Sequence, residues 1–132
     1  MDALEKTNLV LAKILNIAME NGVSHWDLHF EDLDLDSSYE TFFYPCVAWL
    51  ENEGLIRVEE YNRTMGGYAS GSVQNIALTA RGMAILDQDV NIRGNEEKLS
   101  SAVTKVSEGQ VDYHKFATAL GGFLGGVIKS LG

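Results

Sequence analysis

Between Leu4 and Glu20, apolar positions recur at helical spacing at Leu4, Leu11, Leu15 and Ala18, flanked by Val10, Ile14 and Ile17, while Glu5, Lys13, Asn16 and Glu20 take the other side. The pattern predicts an amphipathic helix with a broad buried stripe, closed by Asn21-Gly22. The period then changes. Trp26, Leu28 and Phe30 alternate with Asp27, His29 and Glu31, which predicts a short strand with one wet face. Ser37 followed by Glu40 has capping-box spacing, and Phe43, Cys46, Val47 and Leu50 then share a helical face with Phe42 and Trp49 beside it. Pro45 is the misfit, because inside a helix it removes a backbone donor and clashes with the preceding turn. It predicts either a kink or a short helical turn followed by a second helix with Pro45 in its first turn. Gly54 then supplies a left-handed cap.

Beyond the cap, LIRVEEY alternates, TMGGYASGS is rich in turn residues and VQNIALT alternates again, so residues 55–78 read as a long hairpin. Thr79 is placed to cap a last helix, ARGMAILDQD, with Met83 and Leu86 facing inward. The fold class is α+β, and the order helix, short strand, helix, long β-hairpin, helix is that of a winged helix. From Asn91 the composition shifts: NIRGNEE reads as a linker, EEKLSSAVTKV as a short helix, SEGQ as a turn and VDYHKFATALGGFLGGVIKSLG as a final helix starting near Asp112. The expected organisation is a winged-helix-like domain over 1–90, a linker and short helix over 91–111, and a glycine-rich apolar C-terminal helix over 112–132. Truncation at Val90 is expected to leave a folded body.

ENEGLIRV after the second helix, RTMGGY in the hairpin and ALTARGMAILDQ after it resemble small, uncharacterised winged-helix proteins of bacterial and prophage genomes. The resemblance spans about residues 4–90, and its motifs are structural: GLI is a helix-to-strand junction and LTxxG a strand-to-helix junction with a close-packed glycine. It implies a fold rather than a chemistry, since winged helices serve DNA binding and protein docking alike. One departure stands out. The helix that a helix-turn-helix needs between the first helix and the one beginning at Ser37 is not evident.

Charge alters the functional picture. The net charge of −9 is unevenly spread: residues 1–90 carry 15 acids and 5 bases, a net of −10, and residues 91–132 carry 4 acids and 5 bases, a net of +1. Between Lys13 and Arg57 there is no cation and there are nine acids. Such a body repels the phosphate backbone, whose attraction to Lys and Arg supplies most non-specific nucleic-acid affinity. The only cations near the expected reading helix and hairpin are Arg57, Arg63 and Arg81, the candidate DNA contacts of a winged-helix regulator. Asp27, Glu31, Asp32, Asp34 and Asp36 form instead a candidate acidic face for a basic partner, or a mimic of a row of phosphates. Acidity that serves solubility alone is the plainer alternative.

The C-terminal segment carries Ala117, Gly121 and Gly125, with Thr118, Gly122 and Gly126 in register beside them and Phe123 between. Small residues every four positions make a groove that lets another backbone come close. Four glycines cost roughly 4 kcal/mol of helix propensity, so this segment needs a packing partner. The apolar run Phe116–Leu131 is 16 residues, about 24 Å as a helix and shorter than the roughly 30 Å of a bilayer core. A membrane span is therefore not expected, a membrane-surface helix is a lesser alternative, and self-association or docking onto another protein is preferred.

The remaining motifs read as structural. His25 and His29, four apart, lie too far along a strand to chelate one metal. EDLDLD lacks the DxDxDG pattern of a calcium loop. Cys46 is alone, on an apolar helix face, and reads as an inert thiol. GGYASGS is not followed by GKS or GKT, and no GxSxG or paired-carboxylate site is visible, so neither an enzyme nor a cofactor nor a small-molecule substrate is expected. A single cysteine and an N-terminus without a basic region and long apolar run suit a cytoplasmic protein. The preferred function is a non-enzymatic interaction or regulatory module with a protein partner, expected to form a homo-oligomer. A DNA-binding regulator is the principal alternative, and an acidic DNA mimic or a membrane-surface protein are lesser ones.

Overall fold

The computed structural model describes residues 3–92 and 95–109. In chain order they form α1 (Ala3–Asn21), β1 (Trp26–Leu28), two 3-10 segments (Phe30–Leu33 and Ser37–Phe42), α2 (Phe43–Asn52), β2 (Ile56–Arg57), β3 (Glu60–Arg63), β4 (Gly71–Leu78), α3 (Ala80–Leu86), β5 (Asp89–Ile92), β6 (Asn95–Lys98) and α4 (Leu99–Ser107). The protein is α+β. No α-helix stands between α1 and α2 among the described residues; the two 3-10 segments fill that interval.

α1 is buried on more than one side, with Val10, Leu11, Ala12, Ile14, Leu15 and Ala18 all inside. A helix apolar over so much of its girth has to be covered from several directions. Its closing turn follows the expectation: Gly22 has φ +61° and its N–H donates to the Ala18 carbonyl at 2.8 Å. Pro45 falls in the first turn of α2, after a separate 3-10 segment, so its missing N–H leaves no gap in the helix. The cap of that 3-10 segment is Asp36 rather than Ser37, its carboxylate accepting the Ser38 N–H at 2.9 Å.

β4 is the spine of the sheet. It pairs antiparallel with β1 on one side and with β2 and β3 on the other. A bulge interrupts the β1–β4 ladder between Trp26↔Ile76 and Leu28↔Val73. Asn75 at that bulge has φ +52°, and the Asp27 carboxylate accepts its N–H at 2.9 Å, in place of the lost ladder bond.

Two junctions lock together at the base of the sheet. α2 ends in a Schellman turn: Gly54 has φ +81°, its N–H reaches the Glu51 carbonyl and the Leu55 N–H reaches the Leu50 carbonyl, both at 2.9 Å. The Leu55 carbonyl then accepts the Thr79 N–H at 3.1 Å, and the Thr79 hydroxyl sits between the Gly54 carbonyl at 2.5 Å and the Leu55 carbonyl at 3.1 Å. Thr79 in turn caps α3 by accepting the Gly82 N–H at 2.9 Å. Gly82 approaches so closely that a Cβ there would lie 2.2 Å from the Leu55 oxygen. Because glycine takes this inward position, α3 buries Ile85 and Leu86, and Met83, expected inside, is 45% exposed.

The segment expected as a linker after Asn91 is instead part of a second hairpin, with β5 and β6 paired from Asp89↔Lys98 to Ile92↔Asn95. It carries α4 back onto α1, where the Thr104 hydroxyl and the Asn16 side-chain oxygen are 2.9 Å apart. Leu99, Ala102, Val103 and Val106 are fully buried and belong to the same hydrophobic cluster as α1, α2 and the sheet. The core therefore does not stop at Val90, and removal of everything beyond it would uncover α1. A chain ending at Val90 is predicted to lose its cooperative urea transition, whereas one ending at Gly109 keeps it. Gly82→Ala is predicted to lower stability by roughly 2–4 kcal/mol, read from the shift of the urea midpoint, because backbone rather than a flexible side chain occupies the space.

Candidate functional site

The acidic residues singled out in the sequence lie on β1 and the 3-10 turns after it. Asp27, Glu31, Asp32, Asp34 and Asp36 are all exposed. Leu33 is buried and Leu35 half-buried between them, so the apolar residues of this stretch turn inward and every carboxylate stays in water. Three of the five also hold backbone in place. Asp27 serves the bulge, Asp32 accepts the His29 N–H at 2.8 Å, and Asp36 caps the second 3-10 segment. The hydrogen bonds from the Ser38 side chain and backbone hold the Asp36 carboxyl below its usual range. Glu31 supports nothing comparable through its side chain in the described hydrogen bonds. Asp34 turns the chain in the left-handed region at φ +54°.

The three arginines are dispersed. Arg57 sits opposite Ala77 and Arg63 opposite Gly71, which separates them by roughly 20 Å along β4. Arg63 is engaged over the Tyr44 ring, its guanidinium carbon 4.5 Å from the centroid. Arg81 lies across the α2 cap, its Cδ 3.2 Å from where a Gly54 Cβ would be, and its Nε is buried without a hydrogen-bond partner.

α2 is committed to the core through Phe43, Tyr44, Cys46, Val47 and Leu50. Two tyrosines fasten the hairpin to it, contacts that no spacing in the sequence announces. Tyr44 donates to the Ser70 carbonyl and Tyr61 to the Glu51 carboxylate, both at 2.7 Å. Burial, then the hydrogen bond to Glu51 and its charge, push the Tyr61 phenol well above its ordinary value. Glu51 is thus drawn into the hairpin contact. At the hairpin tip, Met65 is fully exposed and Tyr68 is 70% exposed.

His25 and His29 are both exposed, and no group of three or more His, Cys, Asp or Glu residues among those described could hold a metal ion. A shallow cleft of about 430 Å³ between α1 and α4 is lined by Asn16, Met19, Glu20, Ser100, Ser101, Thr104 and Glu108. No histidine, cysteine or cation is among its lining residues. No helix of the described residues is long and apolar enough to cross a membrane. The small-residue groove of Ala117, Thr118, Gly121, Gly122, Gly125 and Gly126, with Phe123, lies outside the described residues. Comparison with protein-family models, curated proteins and solved structures finds no match.

Cys46 is buried, and its thiol donates weakly to the Thr7 carbonyl at 3.8 Å. Burial pushes its pKa from 9.0 up to about 12. The folded state thus holds the proton that the unfolded chain releases above pH 9, and the sign of the linkage follows. Stability from this group is complete below pH 9 and falls as pH rises toward 12, by up to about 1.4 kcal/mol per pH unit. Urea melts across that window are predicted to show the fall, and Cys46→Ala to reduce its slope. A disulfide reagent at pH 8 is predicted to label Cys46 only as the chain unfolds.

Proposed function

We propose that this protein is a non-enzymatic docking module of winged-helix type, in which an acidic surface on the 3-10 turns receives a basic segment of a partner protein. The observation that carries the reading is the placement of Glu31, Asp32, Asp34 and Asp36: all four are exposed on consecutive turns while Leu33 anchors the stretch in the core. No lysine or arginine lies between Lys13 and Arg57 in the sequence; in space, Lys6 comes over the Tyr39 ring at 5.3 Å and acts on Asp36, leaving Glu31, Asp32 and Asp34 as the turns' open charges.

Winged-helix type is supported by element order. A short strand and a hairpin flank α2, and β1 pairs with the returning strand β4. The departure is equally concrete, since 3-10 turns occupy the place of the supporting helix. DNA reading is disfavoured because a basic footprint needs clustered cations. Here Arg57 and Arg63 stand at opposite ends of the hairpin and Arg63 is spent on Tyr44. Self-association through residues 112–132 belongs to the same proposal and rests on the spacing of Ala117, Gly121 and Gly125 with Thr118, Gly122 and Gly126.

Two measurements test it. The full-length protein is titrated against a labelled lysine- and arginine-rich peptide and against random-sequence duplex DNA, each at low and near-physiological salt. Peptide binding that weakens with salt and is reduced several-fold by Glu31→Gln with Asp34→Asn, alongside no DNA binding, is expected. Salt-sensitive micromolar DNA binding that Arg57→Ala and Arg63→Ala remove would replace this reading with a regulator. For assembly, light scattering of the full chain against one ending at Gly109 should show a larger mass for the full chain; equal masses would withdraw self-association.

A further inference from the structure

Asn21 is the one asparagine of this chain that a glycine follows. The pair is chemically unstable in an open chain, because nothing on glycine hinders its backbone nitrogen from attacking the asparagine side-chain carbonyl. In the fold both reacting groups are occupied. The Gly22 N–H donates to the Ala18 carbonyl at 2.8 Å, and the Asn21 Nδ2 donates to the Ile17 carbonyl at 2.9 Å. The peptide is also held from the far side, where the Leu78 N–H donates to the Gly22 carbonyl at 3.3 Å, and by the Ser24 N–H on the Asn21 carbonyl at 3.1 Å.

We propose that Asn21-Gly22 is a self-modification site gated by the fold, silent while the turn ending α1 is closed and converted to aspartate and isoaspartate once it opens. The Gly22 nitrogen gives its proton to solvent base and bonds to the Asn21 Cγ. The Cγ–Nδ2 bond breaks, and Nδ2 leaves as ammonia after taking a proton back from solvent. Water then opens the resulting five-membered imide at either carbonyl, so the step needs no oxidant or reductant.

Closed geometry stops the reaction at its first atom. The attacking nitrogen keeps its proton in the bond to Ala18, and Nδ2 is tied one turn back along the helix. Neither product fits the closed turn. Aspartate brings a carboxylate to face the Ile17 carbonyl at the negative end of α1, where Nδ2 had donated. Isoaspartate inserts a methylene into the main chain, so Gly22 cannot both reach Ala18 and receive Leu78. Because the ammonia is lost to solvent, the asparagine does not re-form. A chain that opens long enough to react no longer seats the end of α1 against β4.

The test compares the full-length chain in native buffer with the same chain in unfolding urea, at mildly alkaline pH. The unstructured reference is a peptide of residues 17–26, incubated in both solvents. Mass spectrometry follows the fragment that contains residue 21. Conversion in the native chain is expected to run roughly tenfold or more slower than in urea or in the peptide, as the closed turn must open first. Asn21→Gln is expected to abolish the product in urea. Equal rates in native buffer and peptide would overturn the gating, and absence of product at residue 21 in urea would overturn the site.

Discussion

One carbonyl oxygen, that of Leu55, holds the base of this fold together. It receives the Thr79 N–H, lies 3.1 Å from the Thr79 hydroxyl, whose shorter bond goes to the neighbouring Gly54 carbonyl, and has the bare Cα of Gly82 pressed against it. The arrangement requires a left-handed residue before Leu55, because α2 must stop and turn at once into β2, and Gly54 provides it. It also requires a residue without a side chain at position 82, since a Cβ would overlap the oxygen. Segments 24 residues apart by the Thr79–Leu55 pairing are thereby a single device. The register of Ile56 on Leu78 follows from it, and with that register the placement of the whole hairpin along β4.

α1 is the second organising element, because two separate parts of the chain cover it. The sheet and α2 take one side, and α4 takes another through the Asn16 and Thr104 contact. Burial of α4 next to α1 makes the region after Val90 part of the body, which bears on the proposed docking role. The acidic turns lie between the central strand's partner β1 and α2, so the rigid parts of the core support them. The polar cleft between α1 and α4 lies elsewhere on the molecule.

Much of the fold was legible where a residue type answers a local geometric demand. Gly22 and Gly54 end helices, Thr79 begins one, and Pro45 sits where a missing N–H does no harm. The wide apolar girth of α1 was also visible, through Val10, Ile14 and Ile17 beside the main stripe, although it did not say what would cover the second side. The β5–β6 hairpin was hidden because its strands offer little apolar alternation: among its described side chains only Val90 is buried. Met83 was misplaced because periodicity cannot see that Gly82 claims the inward position. The candidate site was legible as composition, in the run from Asp27 to Asp36, but not as geometry. Which carboxylates hold backbone depends on the bulge at Asn75 and on turns whose caps differ by one residue from the spacing that suggested them. Tyr44 and Tyr61 find partners across the fold, and no local pattern encodes that.

The dependence of α1 on α4 has a consequence during synthesis. α1 is made first, and α4 emerges only after roughly 80 further residues, which at ordinary elongation rates takes about 4–16 s. For that interval the first helix has one apolar flank without its eventual cover, longer by orders of magnitude than a helix takes to form. A nascent chain of this protein thus holds an apolar flank of α1 open for seconds, a flank that the finished molecule covers with Leu99, Ala102, Val103 and Val106 of α4.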